Sequence, residues 1–216
     1  MLNDQNVKCY FNNRLAQDRK RKSTWKYLVK YYFNNQVKRT DSIVEIGAGW
    51  CDFINNVECS QKYATDIWPG VIENADYNVK AYVKDAADFS FLEDKKVDVV
   101  FASNLLEHLA KDKVDQVIKA ALEVLNPNGK LILLQPNFRL NPGRYFDDYT
   151  HISIWTDISL CSYLESKGMA IQTNIPKFLP LTVKSRFPVL GFLIKIYLMS
   201  PIKFKPGQML VIAQKN

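Results

Sequence analysis

Ser42-Ile43-Val44-Glu45-Ile46-Gly47-Ala48-Gly49-Trp50-Cys51-Asp52-Phe53-Ile54 is the stretch on which the fold turns. Ile43, Val44 and Ile46 read as a short buried strand, with Glu45 among them near its C-terminal end. Gly47 and Gly49 follow, then residues that can open a helix. Glycines let the backbone turn sharply and approach a ligand closely. A strand, a glycine turn and a helix in that order place a nucleotide-like ligand at the C-terminal edge of a sheet. The plain alternative is a tight turn between two core elements.

The same residues narrow the ligand. A dinucleotide fingerprint G-x-G-x-x-G needs a third glycine at position 52, and that residue is Asp52. This weakens a pyrophosphate reading. An acid before the first glycine suits a ligand with a cationic amino group. S-adenosylmethionine (SAM) has one and carries no phosphates.

Downstream, Lys62 to Ile67 reads as a second strand ending in Asp66, far enough past Gly49 for one helix between parallel strands. An acid there can take both ribose hydroxyls. It could also cap the turn at Trp68-Pro69-Gly70, where Pro69 suits an early helical position. Val79 to Val83 is a third strand, followed by Asp85 and Ala86. Val97 to Ala102 is nearly all apolar, as strands buried on both faces are. Ser103-Asn104-Leu105-Leu106-Glu107-His108-Leu109 follows it. Val114, Val117, Ile118, Ala121, Leu122 and Leu125 keep helical spacing until Asn126-Pro127-Asn128-Gly129. Leu131 to Leu134 is a fifth strand, leading to a polar turn at Gln135-Pro136-Asn137-Phe138 where a substrate could sit. Strands alternating with helices predict an α/β fold with a doubly wound, mostly parallel sheet.

Upstream, a helix is expected from about Arg14 to Gln36, with Trp25, Leu28, Val29, Tyr32 and Phe33 as its apolar stripe. That stripe packs on the sheet. A helix there can also close over a cofactor, bringing Tyr10, Phe11 or Arg14 near it. Residues 1–40 would form a helical cap.

The 216 residues are expected to form one domain without repeats or linkers, and a 47% hydrophobic content argues against disorder. The net charge of +7 invites a nucleic-acid or anionic partner. Much of the excess lies at Arg14, Arg19, Lys20, Arg21, Lys22, Lys26 and Lys30, and a basic helix face is more often simply solvated. The four cysteines (Cys9, Cys51, Cys59, Cys161) have no C-x-x-C spacing, and with only two histidines no zinc pattern appears, so no metal is expected. A polar N-terminus without a secretory apolar region, and scattered thiols, suit a cytoplasmic protein.

Taken together, Val44-Glu45-Ile46-Gly47-Ala48-Gly49, Asp66, Asp85-Ala86, Asn104-Leu105-Leu106-Glu107-His108-Leu109 and Leu125-Asn126-Pro127-Asn128-Gly129-Lys130 resemble the ordered motifs of a class I SAM-dependent methyltransferase. The likeness covers roughly residues 40–175. It implies a Rossmann-like, seven-stranded sheet whose last strand is antiparallel, with SAM as cofactor and S-adenosylhomocysteine (SAH) as product. It implies that Glu45, Gly47, Ala48 and Gly49 line the methionine part of SAM. Asp66 would bind the ribose, Ile67 would touch the adenine, Asp85 and Ala86 would border it, and Asn104 and Leu105 would floor the sulfonium. Asn128 stands for the first glycine of the family's L-x-P-G-G turn, and Cys51 stands where many members have a third glycine. Asn104-Leu105-Leu106 departs from the N-P-P-[FY] pattern of enzymes that methylate base amino groups, which argues against such a target.

The acceptor side is sought in Arg144 to His151, before a helix expected over Thr156–Lys167 with Thr156 or Asp157 as cap. Removing a proton from an acceptor hydroxyl suits histidine. His151 is the candidate base and His108 a substrate-side residue. Tyr145, Asp147, Asp148, Tyr149 and Asn137 are candidates for gripping the acceptor. Gly168 to Ile175 and Gly207 to Gln214 are the last two strands, with residues 176–206 as an insertion or lid between them. Within it, residues 187–199 are too short to span a bilayer. They could pack on the domain, cover the acceptor pocket, or lie in a membrane interface flanked by Lys184, Arg186, Lys203 and Lys205. The tail resembles methyltransferases of bacterial surface-glycan synthesis, which implies a hydroxyl of a saccharide, nucleotide- or lipid-linked, as acceptor. Two rival readings remain: a non-catalytic module docking nucleic acid or an anionic surface through the basic helix, and a nicotinamide oxidoreductase, against which Asp52 speaks.

Overall fold

The computed structural model describes residues 18–181 and 189–216. The readings placed on Tyr10, Phe11, Arg14, Lys184 and Arg186 fall outside them. Strand β1 (Ser42–Ile46) lies between β2 (Gln61–Asp66) and β4 (Val97–Ser103), parallel to both. With β3 (Val79–Val83), β5 (Leu125–Pro136), β6 (Met169–Pro180) and β7 (Pro206–Lys215) they form one seven-stranded sheet, ordered β3-β2-β1-β4-β5-β7-β6. Strand β7 inserts between β5 and β6 and runs antiparallel to both. The mostly parallel, Rossmann-like sheet with a reversed last strand is therefore as expected. Its order reverses between β1 and β4, which opens a crevice at their C-terminal ends.

Among the described residues the helices are α1 (Arg19–Tyr31), α2 (Gly70–Asn74), α3 (Lys111–Val124), α4 (Pro142–Tyr145), α5 (Asp157–Ser166) and α6 (Gly191–Met199). Strand side chains alternate between two faces. Val44, Ile46, Val100, Ala102, Leu131 and Leu133 meet the apolar stripes of α3 and α5 on one side. Ile43, Val99, Phe101 and Ile132 meet Trp25, Leu28 and Val29 of α1 on the other, with Phe33 and Phe53. Phe53 stacks on Phe101 with ring centroids 3.6 Å apart, and the edge of Phe33 meets Phe101 at 5.5 Å. Each such buried side chain contributes roughly 1.5–3 kcal/mol, so packing rather than propensity holds the polar α1 in place. Asp18 caps α1 by accepting from the Lys20 amide, and Thr156 and Ser159 form a reciprocal capping box on α5.

Four details differ from the sequence reading. No regular helix follows the glycine turn: residues 52–56 make turns with isolated bonds, Asn55 N–H to Cys51 O and Val57 N–H to Phe53 O. Cys51 is left-handed at φ 57°, which breaks a regular helical start. Helix α1 ends at Tyr31 because Tyr32 leaves helical geometry, and a 3-10 turn continues over Phe33–Asn35. Residues 176–180 belong to β6, paired to β7 through Leu179 with Gln208 and Pro180 with Pro206, so they are not part of an insertion. Arg21 is not on a solvated basic face: it is buried and pairs with Asp52.

Helix α6 packs against α1, where a Cβ on Gly191 would meet the Tyr27 ring at 2.4 Å. None of its side chains is buried, and Phe192, Leu193, Ile196 and Met199 are exposed. Among the described residues, no helix is long and apolar enough to cross a membrane.

Candidate active site

The end of β1 turns over through Gly47 (φ 66°), Gly49 (φ 50°) and Cys51 (φ 57°), alternate residues in the left-handed region. A Cβ on Gly47 would stand 3.0 Å from Leu105 Cδ1, so the loop after β4 closes against the glycine. Asn104 is left-handed too, at φ 50°, and its amide donates to Leu134 O at 2.8 Å. The Ala48 amide donates to Thr65 O at 3.0 Å. These bonds draw the ends of β1, β2, β4 and β5 into one rim.

Two of the three strand-end acids meet at this rim. Glu45 is buried and accepts from the Ile54 amide at 3.0 Å. Burial pushes its pKa well above the usual carboxylate range; the Ile54 amide opposes this, and the charges of Asp52 and Asp66 add to it. Asp66 accepts from the Gly49 amide on Oδ2 and the Trp68 amide on Oδ1, both at 2.8 Å. Burial raises its pKa also, against the pull of those amides. Ile67 beside it is 51% exposed, and Trp50 and Trp68 meet edge to face at 4.6 Å. The third acid, Asp85, accepts from the Ala87 amide and pairs with Lys113 of α3 at 2.6 Å. Ala86 packs on the core below it.

The loops after β4 and β5 build the other half. Glu107 and His108 lie on a 3-10 turn (Leu106–His108), and the Glu107 carbonyl accepts from the amides of Ile152 and Ser153 at 2.8 and 3.0 Å. This brings the two histidine rings, His108 and His151, to 4.9 Å. His108 Nδ1 lies 2.9 Å from Thr150 Oγ1 and 3.3 Å from Thr150 O, and the Thr150 hydroxyl donates to Asp148 Oδ1 at 2.6 Å. Glu107 is fully buried, and burial, with the negative charge of Asp148, pushes its pKa up to about 8. Burial and the neighbouring His151 push His108 down to about 4. At neutral pH these are a neutral imidazole and a carboxyl poised to lose or keep its proton.

Two expected acceptor residues have other work. Tyr145 is buried and its hydroxyl donates to Ser153 O at 2.6 Å, which fixes the loop rather than a ligand. Asn137 is buried and donates to Asp157 Oδ1 and Pro176 O, so the turn after β5 is not an open substrate seat. Asp147 pairs with Arg144 at 3.5 Å, and Tyr149 is exposed. The residues missed from sequence are Glu107 and Thr150, whose burial and partners arise only when two distant loops meet, and the Trp50–Trp68 pair. The adjacency of Glu107 to His108 was the one available signal. A separate depression of about 340 Å³, lined by Arg39, Asn55, Glu58 and Lys62 among others, lies by the N-terminal end of β2, away from all of these groups.

The rim fits the donor that the fold implies. The left-handed turn puts glycine at positions 47 and 49, where no Cβ projects, and Glu45 and Asp66 lie buried at the same rim. Residues 44–133 match the family described as a methyltransferase domain. No curated protein matches the chain. Among solved structures, it is similar to a SAM-dependent methyltransferase from Archaeoglobus fulgidus (TM-score 0.67, 19% identity, 97% of this chain and 99% of that one). It is similar to the N-methyltransferase NodS of Bradyrhizobium japonicum in complex with SAH (TM-score 0.67, 12% identity, 98% and 97%). A third is magnesium protoporphyrin IX methyltransferase of Synechocystis with bound SAM (TM-score 0.63, 14% identity, 100% and 99%). Residues 44–133 thus match a methyltransferase-domain family, and the chain has the fold of SAM-dependent methyltransferases.

Proposed function

We propose that the protein transfers a methyl group from SAM to a hydroxyl of a small molecule or saccharide. The observation that carries the donor assignment is the bond between the Gly49 amide and Asp66, which sets the glycine turn and a ribose-binding acid side by side. Bound SAM supplies a methyl group already activated on a sulfonium. Glu45 suits its amino group, Asp66 its ribose hydroxyls, Ile67 its adenine, and Asn104 with Leu105 the floor below. Asp85 borders the adenine with its charge shared by Lys113.

The chain's remaining task is to align the acceptor and remove its proton. The histidine pair supports a hydroxyl acceptor, with His151 as candidate base. The acceptors named for the similar structures differ from one another, so the saccharide, nucleotide- or lipid-linked, rests on the likeness of the tail. The exposed apolar side of α6, with Lys195, Lys203 and Lys205 beside it, suits an anionic membrane surface at the cytoplasmic face. Docking of nucleic acid is less supported, because Arg21 turns inward to Asp52.

Calorimetry with SAM, SAH and NAD, followed by detection of SAH formed with hydroxylated sugar acceptors, tests the reading. Binding of SAM but not NAD is expected, and His151→Ala should cut turnover roughly 100-fold or more while SAM affinity holds. No affinity for SAM or SAH would end the proposal. Co-sedimentation with anionic vesicles, lost in Phe192→Asp, checks the membrane contact; equal pelleting of both forms would remove α6 from it.

A further inference from the structure

We propose that Glu107, His108 and His151 form a binding site for a divalent transition cation. One candidate ligand atom from each lies within 4.8 Å of the others. His108 Nε2 and Glu107 Oε1 stand 3.9 Å apart. A cation with bonds of about 2.0–2.2 Å holds neighbouring donor atoms roughly 3–4 Å apart, so the cluster is within a small closure of that geometry.

Two independent features point to a cation. The first is Glu107. It is fully buried, and among the described residues neither carboxylate oxygen has a hydrogen-bond partner. A buried carboxylate in that state is strongly disfavoured unless a cation or a proton satisfies it. The second is the orientation of His108. The Thr150 hydroxyl gives its own proton to Asp148, so it can only accept from His108. Nδ1 is therefore the protonated nitrogen, and the lone pair sits on Nε2, the nitrogen turned toward Glu107. A threonine and a carboxylate fixing the far nitrogen of an imidazole is the outer-shell arrangement that metal-binding histidines use. His151 enters from the same loop, its amide bonded to Asp148 O at 3.1 Å and its ring against Tyr145 at 4.7 Å.

Two imidazoles and one carboxylate suit Zn²⁺, Mn²⁺ or Fe²⁺ better than Mg²⁺ or Ca²⁺, and they leave coordination positions open. An acceptor hydroxyl at an open position would become more acidic. Its O–H bond breaks, the electron pair stays on oxygen, and the proton passes to water. His151 would then be a ligand, and the acidity the cation gives the bound hydroxyl would let water take the proton without a histidine base. The binding site stands on the geometry alone; its use in catalysis rests on the methyl transfer proposed above. Sequence spacing gave no metal pattern because the ligands converge from two loops.

The test uses the full chain, stripped with a chelator and titrated with Zn²⁺ by calorimetry and with Mn²⁺ by electron paramagnetic resonance. One site per chain is expected. Glu107→Gln and His151→Ala should each weaken binding at least tenfold, and Thr150→Val about 10–100-fold through the orientation of His108. SAH binding, measured on every variant, reports that the fold is intact. If SAH binds the stripped protein but neither ion does, or if Glu107→Gln and Thr150→Val bind as tightly as the parent, the cation site is overturned and the methyltransferase reading survives. If the ions bind through these residues and SAH does not, the cation site stands and the proposed function fails. Turnover that survives chelation would overturn the catalytic use and return the proton to His151.

Discussion

The Gly49 amide donates to Asp66 Oδ2 across 2.8 Å, joining the turn after β1 to the end of β2. One carboxylate thereby shapes the glycine turn, and in the proposed function it would also hold the donor's ribose.

Asp66→Asn tests both duties. An amide cannot accept from Gly49 and Trp68 on both sides at once, so one buried N–H loses its partner. SAM affinity should fall roughly 10–100-fold, and stability by about 1–3 kcal/mol. Calorimetry and chemical denaturation read the two separately. An affinity unchanged despite lost stability would confine Asp66 to the turn.

Gly47→Ala places a methyl group at φ 66°, 3.0 Å from Leu105 Cδ1. The left-handed backbone costs about 1–2 kcal/mol for an L-residue, and the Leu105 end can move. Adding Leu105→Ala should therefore restore little of the lost stability. A full rescue would show that contact, rather than backbone conformation, makes the glycine necessary.

Arg21 and Asp52 pair at 2.8 Å with side chains 10% and 12% exposed. Burial raises the pKa of Asp52 despite the adjacent guanidinium. Arg21→Ala leaves a buried carboxylate and should cost about 3 kcal/mol. The double variant Arg21→Ala/Asp52→Ala should recover a large part of it. Strict additivity in a thermal or urea cycle would mean that the two do not hold α1 to the turn.

Asp98 is expected to contribute to acid stability. Burial raises its pKa, but the Ser42 amide, the Asn126 amide and the Ser42 hydroxyl outweigh burial, and the net shift is downward. A depressed folded pKa contributes stability that is complete above the ordinary aspartate value, about 3.9. It is lost as pH falls through the folded value. Urea melts between pH 6 and pH 2 should show a shallower acid limb in Asp98→Asn than in the parent. Identical limbs would remove Asp98 from the account.

The fold was largely legible because its signals are local. Val97 to Ala102 is apolar at every other position or better, and such a run has to be covered on both faces. The end of α3 before Asn126-Pro127-Asn128-Gly129 was legible too, although these four residues lie within β5, at an irregularity in its pairing with β4, rather than in a turn. Gly129 cannot carry a Cβ there, since one would stand 2.8 Å from Asn126 O. The missing helix after Gly49 was not legible: composition permits one, but the left-handed Cys51 disallows a regular start.

The sequence by itself determined the order of elements, the glycine turn and the acids at successive strand ends, because each depends on a few neighbouring residues. Only the tertiary structure decided that Tyr145 and Asn137 are framework groups, that Arg21 faces inward, and that Glu107 is sealed beside two histidines. Burial and hydrogen-bond partnership depend on which distant loops meet, and the packing of β4 and β5 side by side is what brings residues 107–108 and 148–153 together.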